Sequence, residues 1–346
     1  MPDIQPPSLL LPEPVTALAD GLVWAILCGV ESRPTKLSPE DVARCLKEPS
    51  FPADGWAWLH FDIVHTRSRT QVEAIPSLTD DAKQNLTSME GGARLEAEGD
   101  LVYGAFPAFD DAPSEEDRDV CIWRFAMRPN LLITTRRHPV PALGAVYREI
   151  HRGKVPDNPA GLVDMALLEF ADTARRTMSR LDDQLDRAED VLLLRDHDTD
   201  LGRMSGMLGQ VRRRSTELRR VIAPINRIFN DEELELLPEW AEDDLRDRSE
   251  RQVHSALDDL LALQDRARSL QDELTSSQAE ETNRRLYLVS VGTTLMLPAT
   301  FITGFFGMNT GGMFLAEHPW GTMVAGGLCF FIMLGTWVGL KLARLL

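Results

Sequence analysis

The chain has 346 residues, with 54 Asp and Glu against 37 Lys and Arg, for a formal net charge of −17. So acidic a balance argues against nucleic acid, or an anionic membrane surface, as the main partner. Cys28, Cys45, Cys121 and Cys329 show no Cys-x-x-Cys spacing, which speaks against a disulfide framework or structural zinc site and matches a reducing cytosolic setting.

Residues 1–20 are Pro-rich and read as a loose segment. The apolar run 21–30 lacks the length and the basic flank of a signal peptide and reads as a strand. From 21 to 158 the pattern is mixed. Runs at 22–30, 56–63, 101–109, 120–127 and 130–135 are β-prone and bounded by turn residues. Ser38-Pro39-Glu40-Asp41 is a helix start, with a hydroxyl N-cap, proline at the first position and acids near the positive dipole end. Thr79-Asp80-Asp81 reads the same way. The acidic stretch 110–119 is expected to be a hairpin loop. These features predict an α+β cytosolic domain with a mixed or antiparallel sheet.

Asn158-Pro159 is a further cap, and 159–240 is expected to be a helical hairpin. One amphipathic helix covers 162–194, and a second covers 200–229, interrupted at Pro224. The acids Asp182, Asp183, Asp186, Glu189 and Asp190 read as a solvated face bridged to Arg175, Arg176 and Arg180. They are also candidates for attracting or sensing a divalent ion. A single helix is expected from 243 to about 308. The stalk, 241–285, carries a coiled-coil-like seam of Val253, Leu257, Leu260, Leu263, Ala267, Leu270 and Leu274.

The stalk runs into the first of two uncharged apolar stretches, 286–306 and 320–340. As helices, each measures about 31 Å, the thickness of a bilayer's hydrocarbon core. The slightly negative mean hydropathy of the whole chain hides them, because the polar residues upstream dilute them. Arg284 and Arg285 precede the first span, Lys341 and Arg344 follow the second, and the loop 310–319 holds no Lys or Arg. By the positive-inside rule both termini are cytoplasmic, the loop is external, and 341–346 is a cytosolic tail.

The spans differ. On helical spacing Asn283, Leu286, Ser290, Thr293, Leu297, Thr300 and Gly304 form one stripe that leads to Met308 and Asn309. Such a stripe suits the wall of a narrow wet path. Equally, its hydroxyls can bond to backbone carbonyls one turn back while small residues pack helices. One hairpin cannot enclose a path, so a pore needs several chains. Asn309 offers a neutral carbonyl oxygen, although it also reads as a plain helix C-cap. In the loop, Glu317 and His318 are positioned to draw cations in, or else form a solvated pair. None of His60, His65, His138, His151, His197, His254 and His318 has a partner at metal-ligand spacing. No P-loop and no nucleophile–base pair is evident, so neither ATP use nor enzymatic chemistry is expected, and no cofactor. A membrane-tethered scaffold is the rival from another class.

The run Pro298-Ala299-Thr300-Phe301-Ile302-Thr303-Gly304-Phe305-Phe306-Gly307-Met308-Asn309 resembles the Pro-x-Thr-Phe-x-x-Gly-x-x-Gly-Met-Asn signature of CorA-type metal-ion transporters. The continuation Thr310-Gly311-Gly312 is similar to the ZntB branch, whose members move zinc. The resemblance extends to the whole order of parts: α/β domain, long helices, stalk, hairpin, tail. The tail departs from it, because Lys341-Leu342-Ala343-Arg344 is less basic than the lysine cluster of the magnesium branch. The resemblance implies a homopentamer in the inner membrane whose first span, 286–309, lines the pore. It implies that Gly307, Met308 and Asn309 select the ion, with Asn309 touching the metal through its hydration shell. Divalent cations, zinc foremost, are then the cargo, with magnesium, cobalt or nickel as alternatives.

Overall fold

In the computed structural model the described residues are 21–29, 33–89, 91–109, 120–194, 201–230, 237–245, 249–308 and 319–342. They fall into two compact units. One takes in the described residues of Met1–Asp198 and Gly206–Ser269, the other those of Thr199–Ser205 and Leu270–Leu346.

The first unit is built on a seven-stranded sheet. In chain order its elements are β1 (Leu22–Cys28), β2 (Thr35–Lys36), α1 (Pro39–Lys47), β3 (Trp56–Asp62), α2 (Thr66–Glu73), α3 (Asp80–Thr87), β4 (Arg94–Glu98), β5 (Leu101–Phe109), β6 (Val120–Arg128), β7 (Leu131–Arg136), α4 (Pro141–His151) and α5 (Pro159–Leu194). The strands lie in the order β2-β1-β3-β7-β6-β5-β4. β3 and β7 are parallel and the other neighbours antiparallel, so the sheet is mixed as expected. The caps read from the sequence form. Asp41 N–H donates to Ser38 Oγ at 3.1 Å, and Ala82 N–H donates to Thr79 Oγ1 at 3.4 Å.

Side chains alternate across β3 with the two-residue period of a strand. Ala57, Leu59 and Phe61 join Val42 and Cys45 of α1, Val72 of α2, and Ala82 and Leu86 of α3 in one core cluster. Trp58 and His60 belong to the other face, where Trp24 stacks on His60 at 4.1 Å and meets Tyr147 of α4 at 4.8 Å. Phe109 stacks on Phe170 of α5 at 5.0 Å. Helices thus cover both faces of the sheet. β2 and β4, short edge strands, and α2, a short helix, carry little periodicity and were not expected from the sequence; nor was α4, although Leu143, Val146 and Ile150 are buried on it at helical steps.

α5 starts where Gly161 N–H donates to Asn158 Oδ1 at 2.8 Å. α6 (Leu201–Phe229) runs through Pro224 without the expected interruption. A mid-helix proline costs about 3 kcal/mol. Val221, Ile222 and Ile225 around it are fully buried, and each such side chain contributes roughly 1.5–3 kcal/mol, so packing outweighs the lost bond. A short helix, α7 (Glu239–Asp244), follows.

α8 (Glu250–Phe306) is continuous for 57 residues, starting later than the expected residue 243. Its beginning is pinned by buried Ser249, whose hydroxyl donates to the buried carboxylate of Asp164 on α5. The stalk seam is not free for other copies of the chain. Val253, Leu260, Leu263, Ala267, Leu270 and Leu274 are buried within this chain, Leu257 is half-buried, and Ala256 takes the buried place beside it. α9 (Gly321–Leu342) completes the described elements. The expected acidic loop 110–119 and the segment 1–20 lie outside the described residues.

Candidate functional site

α8 and α9 are the two described helices long and apolar enough to cross a membrane. The last 20 or so residues of α8 form the first span, and α9 is the second. They meet where the Cys329 thiol donates toward the Ala299 carbonyl oxygen at 3.9 Å. Along the first span Val291, Leu295, Pro298, Ala299 and Phe306 are half-buried and Ile302 is buried. At 3.6 residues per turn these six share the face that carries the contact. On α9 the half-buried residues include Gly321, Ala325, Cys329, Thr336 and Leu340, at steps of about one or two turns. Small residues there let two helices approach without a hydrophobic drive between them.

The predicted stripe lies on the opposite face of α8. Asn283, Leu286, Ser290, Thr293, Leu297, Thr300 and Gly304 are all exposed in the single chain, Leu286 by 59% and Leu297 by 64%. The structure therefore keeps the stripe together and leaves it uncovered by the chain's own second span. The hydroxyls also bond back to the helix. Thr293 Oγ1 donates to Val289 O at 2.7 Å, Thr294 Oγ1 to Ser290 O at 2.8 Å, Thr300 Oγ1 to Met296 O at 3.0 Å and Thr303 Oγ1 to Thr300 O at 3.0 Å. The two readings of the stripe are compatible: one hydroxyl can satisfy a carbonyl and still face outward.

α8 ends at the Gly-Met-Asn run. Gly307 N–H donates to Thr303 O at 3.0 Å and Met308 N–H to Phe305 O at 3.4 Å. A Cβ at position 307 would sit 2.9 Å from the Thr303 carbonyl oxygen, so the tight closure requires glycine. A helix C-terminus carries partial negative charge on its last carbonyls, which favours cations at this end. Met308 is exposed. Asn309, Glu317 and His318 lie outside the described residues. At the other end of the hairpin Arg285 pairs with Glu281, and Lys341 Nζ lies 5.2 Å from the centre of the Trp337 ring. Long basic side chains there reach back toward an interface.

Among the described residues no group of three or more His, Cys, Asp or Glu is placed to hold a metal ion. Three of the five acids on α5 meet a partner from another helix. Arg266 of α8 reaches Asp182 at 2.6 Å, Asp186 at 2.6 Å and Glu189 at 2.5 Å, and these carboxylates, Glu189 first, hold its guanidinium firmly protonated. Arg175 and Arg176 pair instead with Asp172 and Glu169. Tertiary contact wins because a guanidinium from α8 can engage three carboxylates at once, which local helical spacing does not allow. Asp258 lies one turn from His254 on α8. Nε2 of that histidine is 3.6 Å from the Asp258 carboxylate, and Nδ1 is 3.3 Å from Asn226 Oδ1; a His-x-x-x-Asp spacing was the available signal.

The profile of the family described as CorA-like Mg2+ transporter protein matches residues 53–344. Among curated relatives, the zinc transport protein ZntB of Yersinia enterocolitica is 28% identical over 283 residues, spanning 81% of this chain and 82% of that protein. Among solved structures, the full-length CmaX protein superposes with a TM-score of 0.75 at 22% identity, covering 94% of this chain and 98% of that one. The CorA magnesium transporter of Methanocaldococcus jannaschii superposes with a TM-score of 0.71 at 18% identity, covering 92% and 97%. These last two likenesses concern the fold. With most of its length matched by the family profile, and with the Gly-Met-Asn run placed between its two apolar helices, the chain belongs to the CorA-like family of metal-ion transporters.

Proposed function

We propose that the chain is a homopentameric transporter of divalent cations, with zinc as its cargo, in the inner membrane with both termini cytoplasmic. The observation that carries this is the exposed stripe from Asn283 to Gly304, set opposite the face that meets α9. A polar stripe left open on a membrane helix calls for neighbours that also need it open, and copies of the same chain meet that need around a central path. The similarity to a zinc transport protein supports zinc over the magnesium in the family's own description.

In this reading Asn309 from each copy contributes a carbonyl oxygen to a ring at the outer mouth. The ring binds the water shell and not the bare metal. Small divalent ions part with water reluctantly, and weak multi-point contacts select an ion yet release it. The helix C-termini add negative potential at the same mouth, and Glu317 and His318 raise the local cation concentration. No group in the first span is a metal ligand strong enough to trap zinc, which prefers Cys and His. Transport runs on an ion or proton gradient. The membrane potential alone supplies about 2.3 kcal/mol per charge per 100 mV, and twice that for a divalent ion.

The test is metal flux in proteoliposomes holding the full chain, with zinc, magnesium, cobalt and nickel compared under imposed pH gradients. Zinc should move fastest. Faster magnesium would reassign the cargo within the family, and no flux of any metal in vesicles with intact oligomers would favour a membrane-tethered scaffold. Native mass spectrometry of the detergent-extracted oligomer checks the number of copies.

A further inference from the structure

One row of residues across the sheet is cationic, although the chain as a whole is acidic. Arg94 of β4 is in register with Ala105 of β5, Ala105 with Arg124 of β6, and Arg124 with Thr135 of β7. Directly opposed residues share a face. Both arginines therefore leave the sheet on the side where Thr135 Oγ1 donates to Leu86 O, near the end of α3, at 2.7 Å. Their strands lie roughly 10 Å apart, and Ala105 between them is too small to separate two such side chains. Arg137, the residue after β7, donates to Met89 O just past the end of α3 at 3.4 Å.

The three guanidinium groups differ in depth. Arg124 is 3% exposed, whereas 41% of the Arg94 side chain is exposed and Arg137 is exposed. Burial, and then the charges of Arg137 and Arg94, push the pKa of Arg124 down, so the three feel one another. The Gly91-Gly92 segment passes beside them without side chains. A Cβ at position 91 would stand 4.0 Å from the Arg124 guanidinium, and one at 92 would meet nothing within 4 Å. A small ligand thus has a buried cation at the base, two more at the rim, and room on the loop side.

We propose that Arg94, Arg124 and Arg137 form an anion site for a phosphate group, either inorganic phosphate or the monoester of a small soluble molecule. A guanidinium carries five N–H donors and no acceptor, so one partner does not exhaust it. Arg94 shows this directly: Glu96 holds it at 2.8 Å, yet its Nε is buried without an acceptor. Carbonyls at the end of α3 offer only partial charge. A phosphate offers up to two charges and several acceptor oxygens, which match the forks of more than one arginine. The site lies in the sheet-based unit and does not depend on the transport reading.

The experiment titrates inorganic phosphate into the full chain in detergent, without zinc, with acetate replaced at constant ionic strength. Calorimetry and the thermal midpoint follow binding, which should saturate and raise the midpoint. Arg94→Gln and Arg137→Gln, changes at the rim, should each weaken binding about tenfold, as loss of a charge-assisted contact does. Glu96→Gln, which removes the chain's own carboxylate from Arg94, should tighten it, an effect of opposite sign that a purely structural role would not give. Arg124→Gln should abolish binding; if that variant does not fold, the rim variants decide. Glycerol phosphate is titrated in parallel. Tighter binding than inorganic phosphate supports the site with a monoester as its ligand, and weaker binding supports it with the free ion. No saturable binding of either probe by the wild-type chain overturns the proposal, as does unchanged binding by the Arg94→Gln/Arg137→Gln pair. Metal flux is not part of the readout, so failure here leaves the transport reading standing.

Discussion

The Cys329 thiol approaches the Ala299 carbonyl oxygen to 3.9 Å, and this contact defines which side of the first span the chain covers by itself. Ile302, one turn further along that side, is 6% exposed. The hydroxyl stripe is then left to other surroundings. Single cysteines at 293, 297 and 300 should react with small water-soluble thiol reagents and lose flux, whereas one at 302 should be protected. Labelling at 302 with protection of the other three would place the wet face on the wrong side.

Asn309→Ala removes the amide at the end of the first span while leaving the α8–α9 contact untouched. Zinc flux should drop more than tenfold, with the oligomer intact on native gels. Near-normal zinc flux through the variant would leave the proposed outer ring without a role.

Arg266 ties α8 to α5 through Asp182, Asp186 and Glu189. All four side chains are at least one-third solvent-exposed, so water screens the attraction and each pair alone is worth little. Arg266→Ala nevertheless leaves three neighbouring carboxylates facing one another. It should destabilise the folded chain by about 1 kcal/mol, and the deficit should shrink at high salt as the remaining repulsion is screened. A salt-independent loss measured by thermal melting in detergent would point to the packing of the arginine stem instead.

Much of this architecture is legible in the sequence because it rests on strong periodic or compositional signals. The five longer strands, the caps at Ser38 and Thr79, and the two apolar spans are of that kind. β2 and β4 escaped because a two- or five-residue edge strand has too few residues to show a period, and Pro224 misled because buried neighbours outweigh a local penalty. The stripe itself was readable from helical spacing. Its opposition to the covered face was not, since that depends on which side of α8 the second span touches. The direction of the threonine hydrogens likewise needed the distances to Val289 O and Met296 O.

His60 gives the sheet-based unit a pH dependence of known sign. It is fully buried, with Nδ1 2.7 Å from Thr134 Oγ1 and Trp24 stacked upon it. Burial, and then the nearby charge of Arg136, push its pKa well below 6.5. The unfolded chain takes up the proton first, so this contribution is fully present above about pH 6.5 and is lost as pH falls below it, by at most about 1.4 kcal/mol per pH unit. His60→Gln should lower stability at pH 7.5 yet flatten the decline between pH 6.5 and 5. An equally steep decline in the variant, followed by thermal melting, would assign the acid sensitivity to other groups.

The stalk seam bears on assembly through what it no longer has to offer. Six of its seven apolar residues are buried within the chain and Leu257 is half-buried. A surface already covered adds little to association, because burial stabilises only once. A fragment truncated before Asn283 should therefore fold and remain soluble, since the buried part of the seam lies within it. Its self-association, measured by analytical ultracentrifugation, should be at least tenfold weaker than that of the full chain in detergent. Equal strength would move the assembly energy from the apolar hairpin to the outer faces of the sheet-based unit. An aggregated or unfolded fragment would instead show that the seam needs the membrane helices to hold it in place.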